Sequence, residues 1–414
     1  MPEQTVKPLP LSSHDLEVIT LIGIAHGISH FFHLLLPALF PWLMDEFALS
    51  FTRIGVTMSV FFTVSAFGQA GAGFLVDRFG ALRVLFAGVT CFLLAALCLS
   101  LVAGYPGLLV VAVLAGLGNS VFHPADFTVL NRRVTSARLG HAFSMHGLSG
   151  NLGWALAPLL LTAVASAAGW RAAALVAAGL ALLTLFLLGW RRLTLADPST
   201  GASRGMATSG EQAPFAFLRS SAVWWCFAFF LLITTAFGAI QNFATPILQR
   251  LHGLPLAAAA ASLSAYLAGG AAGILVGGFL AQKGAHDRLI AAALTVAALL
   301  AIGLATMVLP FWLVPTLMTG IGFCTGLAGP SRDLLVRRAA TSRFGQAAYG
   351  RVYGFVYSGL DTGLALAPLV FGGLMDRERF ADVLIGIAIL QSLAILTAMR
   401  VGDVTRGGVD ITRQ

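Results

Sequence analysis

The chain has 414 residues; 58% are apolar, only 10% are charged, and the formal net charge is +8. A soluble domain carries about 25% charged residues, so a soluble enzyme or a nucleic-acid-binding module is excluded. The mean hydropathy of +0.87 is that of a chain living in lipid.

Residues 1–16 are polar and contain prolines. No short apolar core with a small-residue cleavage site precedes the first apolar run, so no removable signal peptide is expected. Twelve apolar runs follow, at 17–43, 53–76, 82–103, 107–130, 140–166, 170–190, 221–248, 256–282, 288–309, 311–336, 348–374 and 380–399. Each has about the 20 residues a membrane-spanning helix needs. The two-residue alternation of a transmembrane β-barrel is absent. The expected fold is an all-α integral membrane protein of twelve transmembrane helices.

The first run holds "AHGISHFFH" (25–33), with His26, His30 and His33 in apolar surroundings. At about 100° per residue, these and Pro37 fall on one narrow helix face. Titratable groups in hydrocarbon are costly, so that face should turn to the bundle interior. Neutral inter-helix hydrogen bonding, a cavity role in binding or proton handling, and metal ligation are the three readings of the set. The fourth run repeats the pattern with Asn119, His123 and Asp126 on one face. An intramembrane carboxylate costs about 2.5–3.5 kcal/mol on insertion scales. Asp126 therefore needs a partner, a proton or water, and His123 is the expected partner.

Residues 191–220, rich in Ser, Gly, Thr and Pro, read as a linker. It divides the chain into an N-terminal six-helix half (1–190) and a C-terminal six-helix half (221–414). The halves repeat. "GHAFSMHGLSGNLGWALAPLL" (140–160) aligns without gaps on "GRVYGFVYSGLDTGLALAPLV" (350–370), pairing Gly153 with Gly363. "FHPADFTVLNRR" (122–133) aligns on "LAGPSRDLLVRR" (327–338), and Pro37 lies near Pro246 in the same way. Two halves of like topology are related by an axis along the membrane normal, with a solute site between them at mid-membrane. The alignment replaces Asp126 by Arg332 and Asn151 by Asp361. Asp361 shares a helix face with Tyr357 and Gly354. Gln241 and Asn242 lie in the seventh run, Asn242 aligning on His33.

Lys and Arg fall in alternate loops. One set holds Arg78, Arg83, Arg132, Arg133, Arg138, Arg191, Arg192, Arg204, Arg219, Lys283, Arg288, Arg337, Arg338 and Arg343; the other holds only Arg53, Arg171, Arg250, Arg377 and Arg379. Basic loops stay inside. Both termini and the linker are therefore expected in the cytoplasm, in a cell inner membrane, and the net charge needs no nucleic acid. Cys91, Cys98, Cys226 and Cys324 all lie in the runs, without zinc-site spacing.

"GFLVDRFGALRVL" (73–85) resembles the loop signature of the major facilitator superfamily. Gly73, Leu75, Asp77, Arg78, Gly80 and Arg83 occupy its positions between the second and third runs. A decayed copy, "GFLAQKGAHDRL" (278–289), stands between the eighth and ninth. "LLLPALFPWLMDEFALSFTRIG" (34–55) is similar to the fosmidomycin-resistance branch of the superfamily. The resemblance covers the whole chain. It implies alternating access, a first helix that lines the central cavity, and a conformational latch at Gly73, Asp77, Arg78, Gly80 and Arg83. Two exporter features of the superfamily are missing. The fourth run, "VVAVLAGLG" (110–118), has no arginine, and the fifth has Pro158 but no following glycine pair.

The expected function is secondary active transport of a small organic solute, anionic or amphipathic and drug-like in the limit, coupled to protons, with export favoured over import. The solute residues expected are His26, His30, His33, His123, Arg332, Asn242, Gln241 and Tyr357. Asp361 and then Asp126 are expected to carry the proton. Partners are the solute, protons and lipid; a monomer is expected, with no cofactor and no resident metal. The alternative is a metal or metal-chelate transporter, for which His141 and Met145 add to the histidines, although those groups sit at different depths. A membrane solute sensor is the remaining alternative. No nucleotide loop, zinc-protease motif or nucleophile–base pair points to an enzyme.

Overall fold

The computed structural model describes residues 13–135, 138–195, 216–281, 286–308, 310–344 and 349–410. Residues 196–215 of the linker, and the side chains of Asp77, Asp333 and Tyr357, lie outside the described part. Among the described residues all regular structure is helical, and twelve helices are long and apolar enough to cross a membrane. Their bounds exceed or fall short of the expected runs by a few residues, except the eleventh, whose apolar window begins at Ser358 within a longer helix.

The spans of the N-terminal half are α1 (Ser13–His33) with α2 (Leu35–Phe47), α3 (Phe51–Phe79), α4 (Ala81–Ser100), α5 (Tyr105–Asn119) with α6 (Phe122–Arg133), α7 (Leu139–Ala168) and α8 (Trp170–Trp190). A short α9 (Arg192–Leu195) follows. The C-terminal half has α10 (Ser221–His252), α11 (Leu256–Ala281), α12 (His286–Ala305), α13 (Val314–Phe344), α14 (Tyr349–Asp376) and α15 (Phe380–Asp410).

The first and fourth spans are each broken. The chain leaves α1 at Leu34 and restarts as α2, and it leaves α5 at Ser120 and Val121 and restarts as α6. Pro37 and Pro124 are each the third residue of the new helix. A proline there loses nothing, because first-turn N–H groups have no intrahelical partner. The breaks leave His33 and Asn119 as the last residues of α1 and α5.

In lipid, close helix approach replaces hydrophobic burial as the source of cohesion, and small residues permit it. A Cβ on Gly153 of α7 would lie 2.0 Å from the Gly27 carbonyl oxygen of α1, so only glycine fits. The same condition holds between α11 and α13, where a Cβ on Gly322 would lie 1.9 Å from the Tyr266 carbonyl oxygen.

The halves meet unevenly. One apolar cluster runs from the N-terminal half into the C-terminal half through Ala236–Leu267 and Leu364–Ala388. The other end of the C-terminal half forms a cluster of its own, from Val223 and Phe230 to Val356 and Val401. Among the described residues the halves are thus joined at the end remote from the termini, and toward the termini the C-terminal half keeps its own apolar cluster. Asp376, at the end of α14, reinforces that closed end: its carboxylate accepts from the backbone N–H groups of Phe51 (2.5 Å) and Thr52 (3.0 Å) at the start of α3, and from the Thr52 hydroxyl.

Candidate functional site

The α1 stripe faces the bundle interior. His26, His30 and His33 are buried, with 2%, 8% and 6% exposure, so in this conformation the rings meet other side chains rather than open water. Their neighbours come from α3, α5, α6 and α7. Asp126 of α6 is fully buried, and its Oδ2 lies 3.0 Å from Nε2 of His146 and 3.3 Å from Nδ1 of His26. The expected partner, His123, is not the one that binds this carboxylate. It sits one helical turn nearer the break, and its Nδ1 turns to Gln69 Oε1 at 3.2 Å. The His26 and His146 rings stack at 3.5 Å, and His30 stacks on Trp154 at 4.0 Å. Gly150 of α7 makes room for both: a Cβ there would lie 2.5 Å from His30 Nδ1 and 2.9 Å from His26 Nε2.

The two helix breaks meet in a second branch. His33 Nε2 bonds Asn119 Oδ1 at 2.8 Å, Asn119 Nδ2 donates to Ser65 Oγ at 2.8 Å, and Trp154 Nε1 donates to His33 Nδ1 at 3.2 Å. Indole only donates, so His33 Nδ1 is an acceptor and Nε2 carries the proton. This fixes one neutral tautomer and orients the Asn119 amide.

A third branch crosses between the halves. Gln69 of α3 accepts from His123 at its amide oxygen and donates from Nε2 to Asp361 Oδ2 of α14 at 3.2 Å. A carboxylate of one half is therefore two hydrogen bonds from an imidazole of the other. Around it, Ser59 donates to the Ala365 carbonyl oxygen at 2.7 Å, and Trp154 meets Phe237 of α10 with ring centroids 5.1 Å apart.

A family model described as Major Facilitator Superfamily matches residues 22–368. The chain belongs to the major facilitator superfamily. It is a multi-pass membrane transporter by family, not an enzyme. It is 27% identical over 394 residues to an uncharacterised MFS-type transporter, YfnC, of Bacillus subtilis (strain 168), covering 93% of each chain. It is also 27% identical over 390 residues to the fosmidomycin resistance protein of Escherichia coli (strain K12), covering 92% of this chain and 91% of that one. The crystal structure of a bacterial homologue of the human lysosomal transporter Spinster, inward-facing and unoccupied, superposes with a TM-score of 0.75 over 96% of this chain and 98% of that chain, at 14% identity. That likeness is one of fold.

The superfamily loop signature has a visible backbone role at one position. Gly80 ends α3 at φ +85°, a conformation that L side chains rarely adopt, and so turns the chain directly into α4. Arg78 lies over the Phe79 ring at 5.3 Å, and a Cβ on Gly73 would meet nothing within 4 Å. Arg83 lines a cavity of about 150 Å³ with Arg132, Arg133 and Leu195.

Other residues singled out from sequence lie apart from the cluster. The Arg332 guanidinium sits 4.6 Å over the Phe230 ring, in the cluster private to the C-terminal half. Gln241 and Asn242 are buried, and Asn242 Nδ2 returns to its own helix at the Gly238 carbonyl, 2.7 Å away. His141 and Met145 are exposed. Conversely, Gln69, His146 and Trp154 belong to the site more fully than sequence suggests. The signal for His146 and Trp154 lies in α7, where His146, Gly150, Gly153 and Trp154 recur at helical spacing, a polar and an aromatic group flanking the glycines that let α1 approach; Gln69 lies on α3.

Proposed function

We propose that the protein exports a small organic solute, anionic or amphipathic, from the cell by alternating access across the inner membrane, with both termini cytoplasmic, and that Asp361 couples the movement to protons. The observation that carries this reading is the Asp361–Gln69–His123 chain across the boundary of the halves. A charged carboxylate accepts a stronger hydrogen bond than a neutral one. Ionised Asp361 therefore holds Gln69 and the closed arrangement, and a proton on Asp361 weakens that tie. A ligand shifts an equilibrium only by its differential affinity for the two states; the proton has such a difference here, because Gln69 and Asp361 belong to bodies that separate. The next titratable group on the facing side is His123, beyond the Gln69 amide. On its own side, Arg332 of the adjoining α13 sits over Phe230.

The polar and aromatic groups beside this chain, His123, Trp154 and Phe237, give a solute both ring faces and hydrogen-bond partners. The kinship with a fosmidomycin resistance protein over most of both chains supports export and makes a phosphonate the first compound to try. The test is uptake by proteoliposomes of fosmidomycin and of a panel of organic acids, with and without a pH gradient. Gradient-driven accumulation that Asp361→Asn abolishes, with solute binding retained, is the expected result. Accumulation indifferent to the gradient would remove protons from the mechanism.

A further inference from the structure

We propose that His26, Asp126 and His146 form a binding site for one divalent first-row transition-metal ion, held inside the N-terminal half. In sequence these groups stand 20 to 120 residues apart; folding brings three donors together. His26 Nδ1 and His146 Nε2 lie 3.3 and 3.0 Å from Asp126 Oδ2, and the donor atoms are all within 4.8 Å of one another. Donors about 2.1 Å from one tetrahedral ion stand about 3.4 Å apart, close to these separations; the stacked His26 and His146 rings would have to turn so that both in-plane lone pairs aim at one ion.

The second observation is what hydrogen bonding leaves undone. Asp126 Oδ1 has no hydrogen-bond partner, and His26 Nδ1 makes no hydrogen bond beyond its 3.3 Å approach to Asp126 Oδ2, although the residues are 0% and 2% exposed. A buried polar atom without a partner is costly and calls for a cause, an ion among them. The His146–Asp126 bond satisfies one carboxylate oxygen and leaves the rest. A metal ion takes a lone pair from each imidazole, engages the carboxylate and cancels its charge. His30 Nδ1 is also without a hydrogen-bond partner, and His26, His30 and His123 form a second, separate group of donors within 4.8 Å of one another.

The donor set chooses the ion. Two imidazoles and one carboxylate suit zinc, cobalt or nickel, whereas magnesium and calcium take oxygen ligands. The ligands come from the first, fourth and fifth spans, all in one half. Movement of one half against the other neither makes nor breaks the site. The ion is therefore a resident that ties three helices together, not the cargo, and the inference is independent of proton coupling at Asp361.

The test uses the purified full chain without a polyhistidine tag, stripped with chelator and titrated with Zn²⁺ and separately with Co²⁺. Expected are one ion per chain, a visible absorption band from four-coordinate cobalt, and a higher melting temperature with zinc. Asp126→Asn and His146→Gln should each weaken binding by at least about tenfold, the lower end of what losing even an outer-shell partner costs. His146→Cys, which can still ligate, should bind, and His141→Gln, exposed and outside the cluster, should bind like the parent. The titration of the folded parent protein is decisive even where a variant fails to fold. No saturable binding there overturns the proposal, as does undiminished binding in folded Asp126→Asn and His146→Gln together. Accumulation of zinc inside proteoliposomes by the parent protein would overturn the claim that the ion is held.

Discussion

Replacing Asp376 by Ala should release the closed end of the bundle. In the structure one carboxylate of α14 accepts three hydrogen bonds at the start of α3, two from backbone N–H groups that the helix itself leaves unpaired. Loss of a capping side chain costs about 0.5–2 kcal/mol. Hydrogen bonds to a charged group are worth about 1.5–3 kcal/mol each when buried, but this site is exposed and α3 keeps its own cap, Ser50 Oγ accepting from Arg53 N at 3.2 Å. The net penalty is therefore about 1–2 kcal/mol, and it falls only on the state in which the two halves touch here. At about 1.4 kcal/mol per tenfold, the population open at this end should rise roughly 5- to 30-fold. The assay is labelling of a single cysteine at Ser59, which is buried and bonded to the Ala365 carbonyl of the other half. A membrane-impermeant maleimide applied to intact cells should react faster in Asp376→Ala by that factor, and faster by less in Thr52→Val, which keeps both backbone bonds. An unchanged labelling rate in Asp376→Ala would refute the role of Asp376 in holding this end closed.

Gly153→Ala should lower the melting temperature in detergent, because the new methyl meets the Gly27 carbonyl oxygen at 2.0 Å and overpacking costs about 1–3 kcal/mol; a variant as stable as the parent would show that α1 and α7 are not so close. Asn119→Leu strips His33 and Ser65 of their shared partner and should cost about 1–3 kcal/mol as buried groups go unpaired, read as a lower denaturation temperature that Asn119→Gln partly restores. Cysteines placed in 191–220 should react with impermeant reagents only after the membrane is opened; reaction in intact cells would invert the proposed topology.

Much of the architecture is legible in the sequence because lipid imposes a length and a polarity on each span. That is why twelve runs are visible at the level of composition. The interior placement of the α1 histidines is legible for the same reason, since three imidazoles on one face are too costly for lipid. The breaks in the first and fourth spans are not. Pro37 and Pro124 interrupt their spans, yet Pro246 and Pro330 ride inside the unbroken α10 and α13. The local signal is the same in all four, and tertiary contacts decide between them. Partner choice is equally hidden. His123 lies three residues from Asp126 on its own helix, but the carboxylate turns to His146 because α7 approaches closely enough through Gly150 and Gly153. Arg332, the repeat-mate of Asp126, found an aromatic ring in its own half instead of a place in the cluster. A repeat in sequence preserves backbone geometry, as at Gly153 and Gly363, whose Cβ atoms would both strike the first helix of their own half. It does not preserve side-chain chemistry.

The most direct test is proton movement driven by solute. Everted membrane vesicles, energised to acidify their lumen and loaded with a pH-sensitive dye, should lose part of the gradient when fosmidomycin or another transported anion is added. The same vesicles carrying Asp361→Asn should show no such loss, while the purified variant still gains thermal stability from the solute. A full response from Asp361→Asn would contradict the account, because the tie through Gln69 would then have no part in coupling.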